Sequence, residues 1–151
     1  MGFRRKSREL ALQILFSMGG PGENRSASVQ EFFSALEAPG DAREFSSELV
    51  SGVLAHRQEI DAKIAEVSSN WKLSRMGRVD LNVIRIAVFE LFYCGDIPPR
   101  VSINEAVDIG KKYGTEKSGA FVNGILDNIY HGLPVEDREE DREEGPETDG
   151  A

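Results

Sequence analysis

The sequence predicts an all-α protein, because apolar residues recur at helical spacing nearly everywhere and no alternating strand pattern exceeds a few residues. Clusters of glycine and proline interrupt these amphipathic segments and divide the chain into six predicted helices. A chain of 151 residues is long enough for one domain with a substantial hydrophobic core. We place this domain over residues 1–133, followed by an acidic tail over residues 134–151.

The first three predicted helices are separated by strong breakers. The first covers about Ser7–Met18 and stops at a Gly-Gly-Pro-Gly run. The second is short, opens at Ser28 with a capping box, and ends at the next Pro-Gly pair. The third is predicted as one long helix over about Asp41–Val67, because its apolar positions keep spacings of three, four and seven throughout.

The fourth predicted helix, about Arg78–Tyr93, is apolar almost all round. A helix of this kind is normally the buried centre of a bundle. The fifth runs from about Ser102 to Tyr113, with Glu105 as the capping partner of Ser102. The sixth covers about Glu116–Tyr130 and is closed by glycine and proline.

The net charge of −8 is distributed unevenly along the chain. Nine acids and two arginines give the tail a charge of −7, so residues 1–133 carry only −1. The tail cannot bury enough apolar surface to order itself, and we expect it to be disordered. The body opens with a basic head that has no acid within it: Arg4, Arg5, Lys6 and Arg8. Such a head fits a polyanionic ligand, although a solvated helix start has the same composition.

Residues suited to catalysis are scarce. The chain has one cysteine, Cys94, and two histidines, neither of which lies in a metal-ligand spacing. It contains no phosphate-binding loop, dinucleotide-binding glycine motif or nucleophile elbow. We therefore expect no enzyme and no catalytic, metal or cofactor site. Cys94 is interpreted as a core residue, and Arg85 and Glu90 as structural polar contacts to neighbouring helices.

The sequence favours a cytoplasmic protein. No apolar run approaches the ~18 residues of a membrane span. The charged N-terminus is not followed by the apolar segment of a signal peptide. A single cysteine is compatible with a reducing compartment.

The first helix carries a second apolar stripe beside its main core face. Leu12 and Phe16 form this stripe and lie one turn apart. The stripe predicts either a docking surface for a protein partner, with Phe16 as aromatic anchor, or a helix packed between two neighbours.

The sixth helix places an aromatic ring beside a cation. Phe121 lies at the edge of the core face, with Lys117 one turn before it and Gly124 close after it. This arrangement is suited to stacking on an unpaired base. By spacing alone, however, the core interpretation of Phe121 is favoured over base stacking.

Four segments resemble, in the same order, the characteristic segments of the NusB family. The closing one carries the family's run of Phe, Val, Asn and Gly followed by an aliphatic residue, Leu and Asp. The four segments are Arg4–Phe16, Ile84–Leu91, Ile97–Ala106 and Lys117–Asp127. The resemblance covers about residues 4–130.

This resemblance implies a fold of two packed helical subdomains. It also implies a partner, NusE, which is a protein of the small ribosomal subunit. The NusB–NusE pair binds boxA, a short single-stranded element in the leader of ribosomal RNA transcripts. As part of the RNA polymerase antitermination complex, the pair helps the enzyme to pass terminators.

Together with the residue patterns, the resemblance assigns two surfaces. The expected RNA surface comprises Arg4, Arg5, Lys6, Arg8, Lys117 and Phe121. The expected NusE surface comprises Leu12, Phe16, Val79, Asp80 and Val83. The sequence departs from the family at Lys117, where many relatives have an acid, and in the acidic tail, which matches none of the family's characteristic segments.

Two other functions are compatible with the resemblance. NusB-like domains form the RNA-binding front end of some RNA cytosine methyltransferases, but such an enzyme needs a further α/β domain with a glycine motif and a catalytic cysteine. The expected acidic tail stands in its place here. A helical interaction module without an RNA role is the other alternative.

Overall fold

A computed structural model describes residues 2–18, 40–68 and 72–133, which form six α-helices and one short 3-10 helix. In chain order the α-helices are α1 (Gly2–Ser17), α2 (Gly40–Ala55), α3 (Arg57–Val67), α4 (Arg78–Tyr93), α5 (Pro99–Tyr113) and α6 (Ser118–His131). The 3-10 helix, Leu73–Arg75, precedes α4. No strand occurs in these described ranges, and the all-α prediction is confirmed. The predicted helix that opens at Ser28 and the tail over residues 134–151 lie outside them.

Helix α4 lies at the centre of the bundle, as its sequence predicts. Every residue from Asn82 to Glu90 is buried, and α4 packs against all five other described α-helices. Its bounds, Arg78–Tyr93, match the prediction, because breakers stand on both sides of a continuous apolar run.

The helices form two packed subdomains around α4. Helix α1 packs mainly against α2, and α5 packs mainly against α6, while all four also contact α4. Helix α3 packs against α4 and α6. One continuous hydrophobic core runs through both groups. Helix α1 is therefore packed between two neighbours, α2 and α4.

Two helix starts differ from the prediction. Helix α1 begins at Gly2, so the basic head lies on the helix and does not precede it. Helix α5 begins at Pro99, where the fixed φ of proline suits the first helical position. The predicted capping box of Ser102 and Glu105 is wrong, since both residues lie inside α5. The Ser102 hydroxyl instead donates to Glu90 Oε1 (2.6 Å).

The long third helix predicted from the sequence is broken at His56 into α2 and α3. The His56 ring stacks on Tyr93 of α4 (4.0 Å between centroids), and Phe89 occupies the space that a side chain at position 52 would need. A Cβ on Gly52 would lie 2.2 Å from the Phe89 ring. The apolar periodicity continues across the break and therefore predicts a single helix, although a Ser51–Gly52 pair lies one turn before His56.

Candidate nucleic-acid and partner interface

Three cations of the basic head lie on the surface of α1. Arg4 and Arg5 side chains are each 38% exposed, and Lys6 is exposed. The Arg4 guanidinium lies over the Phe45 ring (4.5 Å) and 3.7 Å from Asp96. Arg4 therefore already has partners, and a bound polyanion would compete with these contacts.

Arg5 is held by two carboxylates of α5. Its Nε donates to Glu105 Oε1 (2.5 Å) and its Nη2 to Asp108 Oδ2 (3.0 Å). The hydrogen bond with Glu105 is the main reason why the pKa of Arg5 is raised above its usual value. The same bond holds the pKa of Glu105 below its usual value. Both groups therefore stay ionised near neutral pH.

Arg8, the fourth cation predicted to hold phosphate, belongs to the core instead. Its residue is 3% exposed, and its Nε and Nη2 donate to the two carboxylate oxygens of Glu90 (2.7 and 2.8 Å). The Ser102 hydroxyl donates to the same carboxylate. A buried guanidinium with a bidentate counter-charge cannot reach a phosphate at the surface, so we remove Arg8 from the RNA surface. The prediction that Glu90 makes structural contacts to neighbouring helices is confirmed.

Helix α5 links the basic head to the start of α6. Lys112 Nζ donates to Glu9 Oε2 of α1 (3.1 Å), so the end of α5 lies beside α1. The Lys111 stem lies over Gly119 of α6, where a Cβ would come within 2.7 Å of Lys111 Cγ. These two exposed lysines were missed in the sequence, because only the packing of α5 brings them between the two predicted halves of the site.

Lys117 and Phe121 lie at the start of α6. Lys117 is exposed, and its carbonyl accepts a hydrogen bond from the Phe121 backbone N–H (3.1 Å). Phe121 is half-buried and packs against the core, so part of its ring faces solvent and part is structural. A Cβ on Gly124 would have no atom within 4 Å, which leaves the surface beyond Phe121 open.

The predicted partner surface is only partly exposed. Phe16 is 39% exposed, and Val79 and Asp80 are half-buried. Leu12 (4% exposed) and Val83 (2%) belong to the core. The predicted stripe of Leu12 and Phe16 is therefore wrong as a continuous surface, because α1 is covered on two sides and Leu12 faces one of its neighbours.

Arg78 joins α1 to α4 at this surface. Its guanidinium lies 4.2 Å from the centroid of the Phe16 ring, and its Nη2 donates to the Phe16 carbonyl. A cation stacked on an exposed ring limits the conformations of that ring. Arg78 was not predicted from the sequence, since its position beside Phe16 depends on how α4 packs against α1.

Metal-ligating side chains are not clustered in the described residues. Within residues 2–18, 40–68 and 72–133, no group of three or more His, Cys, Asp or Glu could hold a metal ion. Cys94 is buried, and burial with the nearby carboxylate of Glu90 raises its thiol pKa to about 12. The interpretation of Cys94 as a core residue is confirmed. In the part of the chain that the structure describes, no helix is long and apolar enough to cross a membrane.

Comparison with known proteins shows a close similarity to one family. The profile of the NusB family matches residues 5–131. The chain is 45% identical over 144 residues to the transcription antitermination protein NusB of Syntrophus aciditrophicus, covering 95% of this chain and 89% of that protein. It is 51% identical over 137 residues to the protein of the same name in Geobacter sulfurreducens, covering 89% and 98%.

Solved structures give the same result. A chain in the crystal structure of antitermination factors NusB and NusE in complex with double-stranded RNA superimposes with a TM-score of 0.75 and 32% identity. That match covers 88% of this chain and 99% of the other. A second structure, NusB from T. maritima, gives a TM-score of 0.75 and 34% identity, with 89% and 95% covered.

Proposed function

The chain belongs to the NusB family, and we propose that it is a transcription antitermination protein that binds boxA-type single-stranded RNA together with NusE. In this role it promotes elongation through ribosomal RNA operons as part of the RNA polymerase antitermination complex. The role is one of binding in the cytoplasm, without a catalytic step. The domain predicted over residues 1–133 carries both binding surfaces.

The arrangement of surface cations is the observation that carries the RNA-binding proposal. Arg4, Arg5 and Lys6 lie on α1, and Lys117 precedes α6. Helix α5 contacts both helices, α1 through the Lys112–Glu9 pair and α6 through Lys111 over Gly119. Cations along such a track can each neutralise one phosphate, and we propose the half-buried Phe121 as the side chain that stacks on a base. Single-stranded RNA presents both features at once.

The salt dependence of RNA binding tests this proposal. If Arg4, Arg5, Lys6 and Lys117 each neutralise a phosphate, log affinity for a boxA oligonucleotide should fall with log salt at a slope of roughly −3. Replacing Arg4 and Arg5 with Ala should flatten the slope by about 1 to 2 units, because each lost contact removes about 0.7 of a unit. Fluorescence anisotropy in the presence of NusE measures both slopes.

A matched control removes two cations elsewhere. Lys72 and Arg75 are exposed and lie just before the start of α4. The basic head lies near the other end of α4, because Arg4 pairs with Asp96, which follows that helix. Because α4 has 16 residues, the two groups lie about 24 Å apart along its axis. The Lys72→Ala/Arg75→Ala variant should keep the wild-type slope. If both variants flattened the salt slope equally, RNA binding would depend only on the overall charge of the protein, and no defined track of cations would exist.

Phe16 is the proposed anchor for NusE. It is an exposed aromatic side chain whose ring is restrained by Arg78, and Val79 and Asp80 lie half-buried at the same end of α4. A preorganised aromatic ring loses little conformational entropy when a partner covers it, which is typical of binding hot spots. Leu12 and Val83 support this surface from the core.

A further inference from the structure

Arg5 donates to acids at the two nitrogens that would best hold a phosphate. Nε and Nη2 form one edge of the guanidinium, and arginine binds phosphate or carboxylate bidentately through such an edge. In this structure Glu105 occupies Nε (2.5 Å) and Asp108 occupies Nη2 (3.0 Å). Nε carries one hydrogen, which Glu105 accepts, whereas Nη2 carries two. A phosphate bound bidentately at this edge would therefore displace Glu105 from Nε and would share or contest Nη2 with Asp108.

The two carboxylates differ in what else they contact. Glu105 is 25% exposed in its side chain and also lies 3.7 Å from the buried Arg8, so it belongs partly to the core network. The Asp108 side chain is 53% exposed and reaches Arg5 from one turn further along α5. Asp108 can therefore be changed with little risk to the fold.

We propose that Asp108 is an affinity-setting residue that pairs with Arg5 in the RNA-free protein and competes with an RNA phosphate for Arg5 Nη2. This inference rests on the proposed function and deepens it. A half-exposed ion pair is weak enough to be exchanged, since such pairs contribute at most a few-fold to an equilibrium. The pair therefore lowers the affinity of Arg5 for every RNA by a similar factor.

A double-mutant cycle tests the inference. The four proteins are wild type, Asp108→Asn, Arg5→Ala and the double variant, each mixed with NusE and titrated with a boxA oligonucleotide. Asp108→Asn should raise affinity about three- to fivefold when Arg5 is present, because a neutral amide competes less strongly than a carboxylate for Arg5. In the Arg5→Ala background the same substitution should change affinity less than about twofold.

Asp127→Asn is the matched control for the loss of one negative charge. Asp127 lies on α6, its side chain is 49% exposed, and it pairs with His131. If Asp108 acts through Arg5, Asp127→Asn should raise affinity much less than Asp108→Asn does. Unchanged melting temperatures show that each variant is folded.

Three results would overturn the inference. An equal gain from Asp108→Asn with and without Arg5 would mean that Asp108 acts by general repulsion of RNA. No gain at all in the wild-type background, with RNA binding intact, would remove the inference and leave the proposed function standing. Absence of RNA binding by the wild-type pair would overturn both.

Discussion

Glu90→Gln removes the charge of a carboxylate that is 1% exposed and receives three hydrogen bonds, two from Arg8 and one from Ser102. The Arg8 guanidinium would then stay buried without its bidentate counter-charge. Breaking a buried pair from one side costs about 3–5 kcal/mol. Glu105 lies 3.7 Å from Arg8 Nη1 and compensates in part, so we expect the lower end, about 3 kcal/mol.

Urea unfolding and thermal melting measure this loss. For a domain of this size, 1 kcal/mol shifts the melting temperature by about 2–4 °C, so Glu90→Gln should lower it by about 6–12 °C. A double variant, Arg8→Met/Glu90→Leu, is the matched control. It removes both charges together, leaves neither unpaired, and should be more stable than Glu90→Gln.

A different result would restore Arg8 to the RNA surface. Wild-type stability of Glu90→Gln would mean that the pair does not hold α1 to α4. If Arg8→Met also kept full stability and flattened the salt dependence of RNA binding, Arg8 would be a phosphate contact. Because Arg8 is buried against Glu90, we expect instead that Arg8→Met lowers stability.

Phe16→Ala should weaken NusE binding by about 2 kcal/mol or more in calorimetry. Phe92→Ala, which removes a ring of similar exposure (37% against 39%) at the opposite end of α4, should not, and equal effects would contradict the anchor. Phe121→Ala should cost about 1–3 kcal/mol in RNA affinity through lost stacking, with an unchanged salt slope. A melting temperature that falls as for a core truncation, with normal RNA affinity in the folded fraction, would make Phe121 structural only. Cys94 should resist thiol reagents near neutral pH until urea unfolds the protein, because a pKa of about 12 leaves almost no thiolate. Rapid labelling of the folded protein would contradict this burial.

Much of the fold is predictable from local patterns. Helix α4 is found with its observed bounds, because its composition and its flanking breakers indicate the same segment. The break at His56 is not indicated by the apolar periodicity, which continues through it, and there the His56 ring stacks on Phe89 and Tyr93 of a different helix. The start of α5 is mislocated for another reason: Ser102 and Glu105 have the spacing of a capping box, while Pro99 begins the helix.

The candidate site shows the same limit. Composition identifies a basic head, but it does not distinguish Arg4 on the surface from Arg8 beneath it, because burial depends on Glu90 in another helix. Similarly, Leu12 and Phe16 share a helical stripe, and only the packing of α1 between two neighbours separates a core residue from an exposed one. Lys111 enters the site through its contact with Gly119, which no local pattern encodes.

Binding of boxA RNA by the chain, by NusE and by an equimolar mixture of the two tests the central claim most directly. Fluorescence anisotropy with a labelled boxA oligonucleotide and a scrambled oligonucleotide of equal length gives the affinities at one salt concentration. We predict that the mixture binds boxA more tightly than either protein alone and at least about tenfold more tightly than the scrambled RNA, a difference of about 1.4 kcal/mol. Equal affinity of the mixture for both oligonucleotides, or no gain from adding NusE, would contradict the proposed antitermination function.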